Sequence, residues 1–180
     1  MQLVTQRLAL QEFEWSDLED FHKLNSRPEV DEFNTAGISK NLAETKERLQ
    51  KIIDQQSSDP RSTYTFKISL KNSNVFIGSC GIILSLDRFK LGEIHYSILP
   101  EHWGNGYATE ISKALIKVGF EKFELHKVEA GVATENEKSI RVLEKSGMIR
   151  EGLRKKILPI RGEWKDNYHY AIVEDDPRDY

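Results

Sequence analysis

Residues 103–110 read Trp-Gly-Asn-Gly-Tyr-Ala-Thr-Glu, and no other segment constrains the chain as strongly. Gly104 and Gly106 flank Asn105 between a strand-like run, Ile94 to Leu99, and a long amphipathic stretch. Residues without a Cβ let the backbone take positive φ and approach a ligand closely. The first turn of a following helix adds unpaired N–H groups and the positive end of its dipole. Together these features suit a phosphate or diphosphate. The segment therefore predicts a strand, a loop and a helix that hold a phosphorylated cofactor. It departs from the dinucleotide fingerprint, which needs a third glycine inside a parallel β-α-β unit. Thr109 fills that third place, and Pro100 to Trp103 separate the strand from the first glycine. The phosphate loop ending in Gly-Lys-Ser or Gly-Lys-Thr is absent from the chain.

The rest of the pattern alternates between two periods. Leu8 to Phe13 reads as a strand, and Ser16 with Glu19 forms a capping-box match that opens a helix to about Asn25. Arg27-Pro28 breaks that helix. Leu42, Thr45, Leu49, Ile52 and Ile53 recur at helical spacing. Tyr64, Phe66, Ile68 and Leu70 alternate with polar residues, then Val75 to Leu84 and Gly92 to Leu99 follow across short turns, as in an antiparallel meander. Beyond the glycines, Ala108, Ile111, Leu115 and Val118 mark a helix face, and Val128, Ala130 and Val132 mark a strand. Thr134 to Glu137 is a second capping-box match, for a helix stopping at Gly147. Two last strands surround Arg161-Gly162, with Trp164, Tyr168, Tyr170 and Ile172 on one face. The expected order is β-α-α-β-β-β-α-β-α-β-β, a single α/β domain over residues 1–174, with a frayed acidic tail over residues 175–180.

Composition narrows the function. A chain of 180 residues, 38% hydrophobic and 31% charged, is a soluble globular protein with room for one substantial core. A net charge of −3 argues against stable nucleic-acid binding. Cys80 is the only cysteine and sits in a strand, so a buried, inert thiol is expected. The first residues lack the build of a signal peptide, and no apolar run reaches the roughly 18 residues of a membrane span. A cytoplasmic protein, monomeric or homodimeric and without a membrane partner, is the expectation. The histidines show no metal-binding spacing, so no metal is expected.

Element order and glycines together resemble the GNAT superfamily of acetyl-CoA-dependent N-acyltransferases, across nearly the whole chain. Ile98-Leu99-Pro100 through Gly104-Asn105-Gly106-Tyr107-Ala108-Thr109-Glu110 resembles that family's pyrophosphate loop, and Asn136 through Met148 resembles its second signature, on the helix beside the pantetheine arm. Arg7-Leu8-Ala9-Leu10, Trp15-Ser16-Asp17, Arg27-Pro28-Glu29-Val30 and Glu151-Gly152-Leu153 are similar to the ribosomal-protein N-terminal acetyltransferases of the RimJ/RimL type. The resemblance implies acetyl transfer from acetyl-CoA to an amine, without metal. It implies cofactor binding by Ile98, Leu99, Gly104, Asn105, Gly106, Tyr107, Ala108, Thr109, Asn136 and Ser139. Two departures stand out: Glu101 where the pattern often has Gln or Arg, and Leu143 where many relatives have a Tyr thought to protonate the leaving thiolate. Ser139 is the nearest hydroxyl by motif position.

Amine attack on a thioester needs a neutral amine. An aliphatic amine is roughly 0.1% neutral at pH 7 and an α-amine about 10%, so a base helps the former more. Glu93, by its motif place, is the candidate base, with His95 as the alternative; strand alternation puts Glu93, His95 and Ser97 on one face. A backbone N–H near Ile98 serves the oxyanion in the resembling family. Ser139 either serves the cofactor sulfur or caps its helix, and Asn136 either holds pantetheine amides or only caps. The first 32 residues carry eight acids and three basic residues, a net of −5 that would attract a cationic amine or basic tail. A protein N-terminus, such as that of a ribosomal protein, is the leading acceptor; a polyamine or other small amine is the alternative, and a non-catalytic acyl-CoA-binding module on the same fold is the reading from a different class.

Overall fold

The computed structural model describes residues 1–180 as one mixed sheet of eight strands flanked by helices. The strands are β1 (Gln2–Val4), β2 (Leu8–Glu12), β3 (Thr63–Leu70), β4 (Phe76–Leu84), β5 (Leu91–Ile98), β6 (Lys127–Ala133), β7 (Ile149–Ile160) and β8 (Glu163–Val173). The helices are α1 (Leu18–Asn25), α2 (Pro28–Asp31), α3 (Leu42–Gln56), α4 (Tyr107–Glu121) and α5 (Glu137–Lys145). Spatial order is β1-β2-β3-β4-β5-β6-β8-β7. Every neighbouring pair is antiparallel except β5 with β6.

Period-two alternation sends the strand side chains to two cores. Leu8, Leu10, Phe66, Ile68, Cys80, Ile82, Ile94 and Ile98 pack with Ile111, Leu115 and Ile116 of α4 on one face. On the other, Phe13, Phe76 and Leu99 pack with Phe21 and Leu24 of α1 and Leu49 of α3. Each such burial stabilises the fold by about 1.5–3 kcal/mol. Phe76 and Ile77, adjacent in β4, divide between the cores as alternation requires. Cys80 is fully buried, and that burial pushes its thiol pKa far up, leaving it inert.

Several local expectations are corrected. The added strand β1 pairs with β2 through Gln2–Val4, a run too short to show a period. The reciprocal cap before α1 joins Glu14 and Asp17: the Glu14 N–H donates to Asp17 Oδ2 at 2.8 Å and the Asp17 N–H to Glu14 O at 3.0 Å. A 3-10 turn, Trp15–Asp17, therefore precedes α1, and the Ser16–Glu19 box does not form. Pro28 ends nothing further; it opens α2 at a first-turn position, where its missing N–H costs little. The cap of α5 is Asn136 rather than Thr134, its Oδ1 accepting from the Ser139 N–H at 3.1 Å. Arg161 and Gly162 both have positive φ and make the β7–β8 turn, but Trp164 is 60% exposed because that hairpin runs past the sheet. Lys113 Nζ donates to Asp179 at 2.6 Å, and the Arg178 guanidinium lies 4.6 Å from the Phe120 ring centre, so the tail lies along α4.

Candidate active site

The site begins with a tear in the sheet. β5 and β6 pair in parallel only over Leu91–Glu93 and Lys127–Glu129. Beyond that point β5 stays with β4 as far as Ile98, and β6 stays with β8 as far as Ala133, so the two halves diverge. The Leu99 N–H donates to Ile77 O at 2.8 Å. Hydrogen-bonding direction alternates along an antiparallel ladder, so the N–H groups of Tyr96 and Ile98 turn away from β4 and into the gap. The Ile98 carbonyl already accepts from Trp103 Nε1 at 2.6 Å. At Leu99 the N–H serves Ile77, the carbonyl accepts from the His102 N–H at 2.9 Å, and the side chain is fully buried.

The glycine loop stands at the open end of this gap. Gly104 has φ 77° and Gly106 φ 79°, the left-handed region that a branched residue avoids. A Cβ on Gly104 would meet no protein atom within 4 Å, so that side of the loop is clear for a ligand. Asn105 folds back, its Nδ2 donating to the carbonyls of His102 and Trp103 at 3.1 Å each. The first helical bond of α4 runs from the Glu110 N–H to Gly106 O at 3.1 Å, which leaves the N–H groups of Tyr107, Ala108 and Thr109 without helical partners. These donors, the cleared glycine face and the helix dipole fit a diphosphate.

Across the gap, α5 brings Ser139 to Tyr96, with 2.7 Å between the two hydroxyl oxygens. Burial pushes the Tyr96 phenol up to about 12, so it stays protonated at neutral pH. Ser112 of α4 is fully buried near this pair, and its Oγ makes no hydrogen bond of ordinary geometry. Leu143 is 1% exposed and belongs to the core. The aromatic hydroxyl at this site thus comes from β5 rather than α5. Sequence reading missed Tyr96 because it looks like an alternating strand residue; only the position of α5 gives it a partner.

On the opposite face of β5, His95 and Ser97 help floor a cleft of about 390 Å³ beneath α1, α2 and α3, with Leu24, Val30, Thr65 and Ser79 among its walls. The His95 ring lies over Gly81, whose backbone would have no room for a Cβ there. The ring is open to the cleft yet set among protein atoms on its other sides. That setting holds its pKa below the ordinary histidine value and keeps the imidazole neutral. Glu93 shares this face and is exposed, as His95 is, but it does not line the cleft and makes no hydrogen bond or ion pair. It sits where β5 and β6 are still paired, opposite Glu129.

Little of the acidic excess of the first 32 residues reaches the cleft. Glu12 holds the N-terminal ammonium and Arg61, each at 2.6 Å, and Asp17 holds Lys67 at 2.7 Å. Asp31 alone of the eight acids lines the cleft, with Arg161 Nε 3.6 Å from its carboxylate, whereas Arg27, Arg48 and Lys51 all contribute to the lining. A wider, shallower hollow of about 620 Å³ lies on the β7–β8 hairpin, lined only by Lys156, Glu163, Trp164 and Lys165, and offers nothing to an acyl donor. Glu129, Glu151 and His169 bring ligand atoms within 4.8 Å of one another. Lys127 Nζ occupies that charge environment, 2.6 Å from Glu151 and 3.7 Å from Glu129. No helix of the chain is long and apolar enough to cross a membrane.

A torn parallel pair with a glycine loop at its mouth and an amine-sized cleft behind it defines an acyl-transfer enzyme. Residues 7–149 match the acetyltransferase (GNAT) domain, and the chain belongs to the GNAT family of acetyltransferases. It is 30% identical over 176 residues to the uncharacterized N-acetyltransferase YnaD of Bacillus subtilis, covering 98% of this chain and 99% of that protein. Ribosomal-protein-S5-alanine acetyltransferase from Vibrio fischeri shares the fold with a TM-score of 0.84 at 23% identity, over 98% of each chain. Spermidine N-acetyltransferase from Vibrio cholerae, solved with CoA and spermine, does so with a TM-score of 0.80 at 24% identity, over 94% of this chain and 96% of the other.

Proposed function

We propose that this cytoplasmic N-acetyltransferase moves the acetyl group of acetyl-CoA onto the α-amine of a protein N-terminus. The observation that carries the reading is the division of labour across β5. His95 faces the cleft, Tyr96 faces Ser139, and the Ile98 N–H enters the gap between them.

Gly104, Gly106 and the first N–H groups of α4 hold the diphosphate, and Asn136 keeps its amide Nδ2 free for the pantetheine arm while Oδ1 caps α5. The acceptor amine enters from the cleft and its nitrogen attacks the thioester carbonyl. Neutral His95 takes the proton that the nitrogen gives up, directly or through one water. Glu93, exposed one alternate position earlier on the same face, is the second candidate for that proton. The Ile98 N–H faces the developing oxyanion. The carbon–sulfur bond breaks and the Tyr96–Ser139 pair returns a proton to the thiolate, on the other face of the strand.

The charge of the cleft supports a peptide α-amine over a polyamine. With Arg27 3.9 Å from Glu101, Arg48 and Lys51 still outnumber Asp31 in the lining, which disfavours a polycation. The fold shared with a spermidine enzyme favours the second reading, a polyamine acceptor. Acetyl-CoA consumption with Ser- and Ala-initiated peptides, spermidine and free lysine tests the choice. The peptides are expected to give the highest kcat/KM, and a higher value for spermidine at low and high salt assigns the polyamine instead.

A further inference from the structure

Between Pro100 and Glu110 the loop carries no lysine or arginine. Glu101, where the resembling pattern often has a cation or amide, turns toward α1: its carboxylate lies 3.0 Å from Lys23 Nζ and 3.9 Å from Arg27 Nη2. The loop's own residues would therefore offer a dianionic diphosphate only backbone N–H groups, with the Lys138 ammonium of α5 4.5 Å from the Trp103 ring centre beside them. One guanidinium stands at the loop, and it comes from the turn between β1 and β2. Arg7 Nε donates to Glu110 Oε2 at 2.7 Å, its Nη1 donates to Asn105 O at 2.9 Å, and its plane lies 4.6 Å from the Tyr107 ring centre. The Arg7 N–H and the Thr5 hydroxyl donate to Glu110 Oε1 at 2.8 and 2.6 Å.

This arrangement has two consequences. A carboxylate in the first turn of α4 would repel a phosphate, but Thr5 and Arg7 occupy both oxygens of Glu110. These bonds outweigh the cost of its burial and hold its pKa below the ordinary carboxylate value. Two edges of the guanidinium are anchored and the third is not. Nη2 donates to no protein atom, and it lies 3.6 Å from the point where Gly106 would carry a Cβ. The planar fork fixes its direction once the other edges are held.

We infer that Arg7 is a diphosphate ligand, supplied by the N-terminal strands to a loop that lacks a cation of its own. The assignment rests on acetyl-CoA as donor. It also explains why Arg7 and the glycine signature, 97 positions apart in the chain, form one site.

Calorimetric titration with CoA and with 3′-dephospho-CoA, which keeps the diphosphate, tests it. Arg7→Gln is expected to weaken both ligands by about tenfold at low salt, as loss of a charge-assisted hydrogen bond requires. The gap from wild type should narrow at high salt because the lost interaction is screened. Arg7→Lys keeps the charge without the fork and should weaken both by a smaller factor of at least about threefold; it decides the matter if the glutamine variant does not fold. Binding within twofold of wild type overturns the inference. So does a loss that is the same at every salt concentration, which marks a loop-shaping role only, and a loss confined to CoA, which moves the contact to the 3′-phosphate. Wild-type protein that binds neither compound overturns the donor assignment itself, a distinct failure.

Discussion

The hydroxyls of Tyr96 and Ser139 lie 2.7 Å apart across the gap between β5 and α5, joining a strand residue to a helix residue 43 positions away. In the proposed mechanism this pair returns the proton to the leaving sulfur. Tyr96→Phe and Ser139→Ala should each lower kcat by about 10²-fold or more while leaving CoA affinity within a few-fold. Because Tyr96 is held up to about 12, the loss should be flat from pH 6 to 9. A double variant no slower than either single one would show that the hydroxyls act as a unit. Unchanged kcat in both singles returns the proton to solvent.

His95 should dominate the basic side of the reaction. His95→Gln is expected to cost about 10²–10⁴ in kcat, and Glu93→Gln less than about tenfold. The folded His95 pKa lies below its ordinary value, so the unfolded chain binds the extra proton first. Stability should thus fall as pH drops from the ordinary histidine range toward the folded value, and His95→Gln should remove that contribution to the slope. If Glu93→Gln proves the slower enzyme, the base is the exposed carboxylate acting through water.

Gly106→Val should raise the cost of φ 79° by about 1–2 kcal/mol and abolish stabilisation by CoA. A Cβ on Gly104 meets no protein atom within 4 Å, so Gly104→Val costs the fold mainly the strain of φ 77°, and its loss of CoA binding should exceed its loss of apo stability. Thermal shifts with matched CoA and NAD read both effects, and stronger protection by NAD would remove the acetyltransferase reading.

Glu110→Gln tests the lock beneath the loop. Its folded pKa is depressed, so its contribution is present above the ordinary carboxylate range and lost as pH falls through the folded value. The glutamine variant should be less stable at pH 7 by about 1–3 kcal/mol, and the difference should shrink in acid. A constant difference from pH 3 to 7 would separate the stability effect from the carboxylate charge.

Much of the architecture is legible in local periodicity. Alternation at Tyr64–Leu70 and helical spacing at Leu42–Ile53 mark the apolar faces of β3 and α3, although Thr65 and Ser69 on the other face of β3 are buried as well, which alternation alone does not show. The glycine loop is legible for a similar reason: positive φ at Gly104 and Gly106 is a local demand. Caps are legible only to within two or three residues, as at Ser16 and Thr134, because neighbouring polar side chains compete for the same N–H groups and packing of the helix chooses among them.

Tertiary structure decided what no local pattern carries. Tyr96 becomes a site residue only when α5 crosses to it, and Glu93 loses the cleft to His95 because β5 and β6 separate just beyond Glu93. Of the eight N-terminal acids, Glu12 and Asp17 are engaged by Met1, Arg61 and Lys67 and only Asp31 lines the cleft, so their net charge says little about it. The amino-acid sequence by itself determined the elements except β1 and α2, the loop and the family. The charge and chemistry of the site were set by long-range pairing, because hydrogen bonds and ion pairs act over a few ångströms in space whatever the distance along the chain.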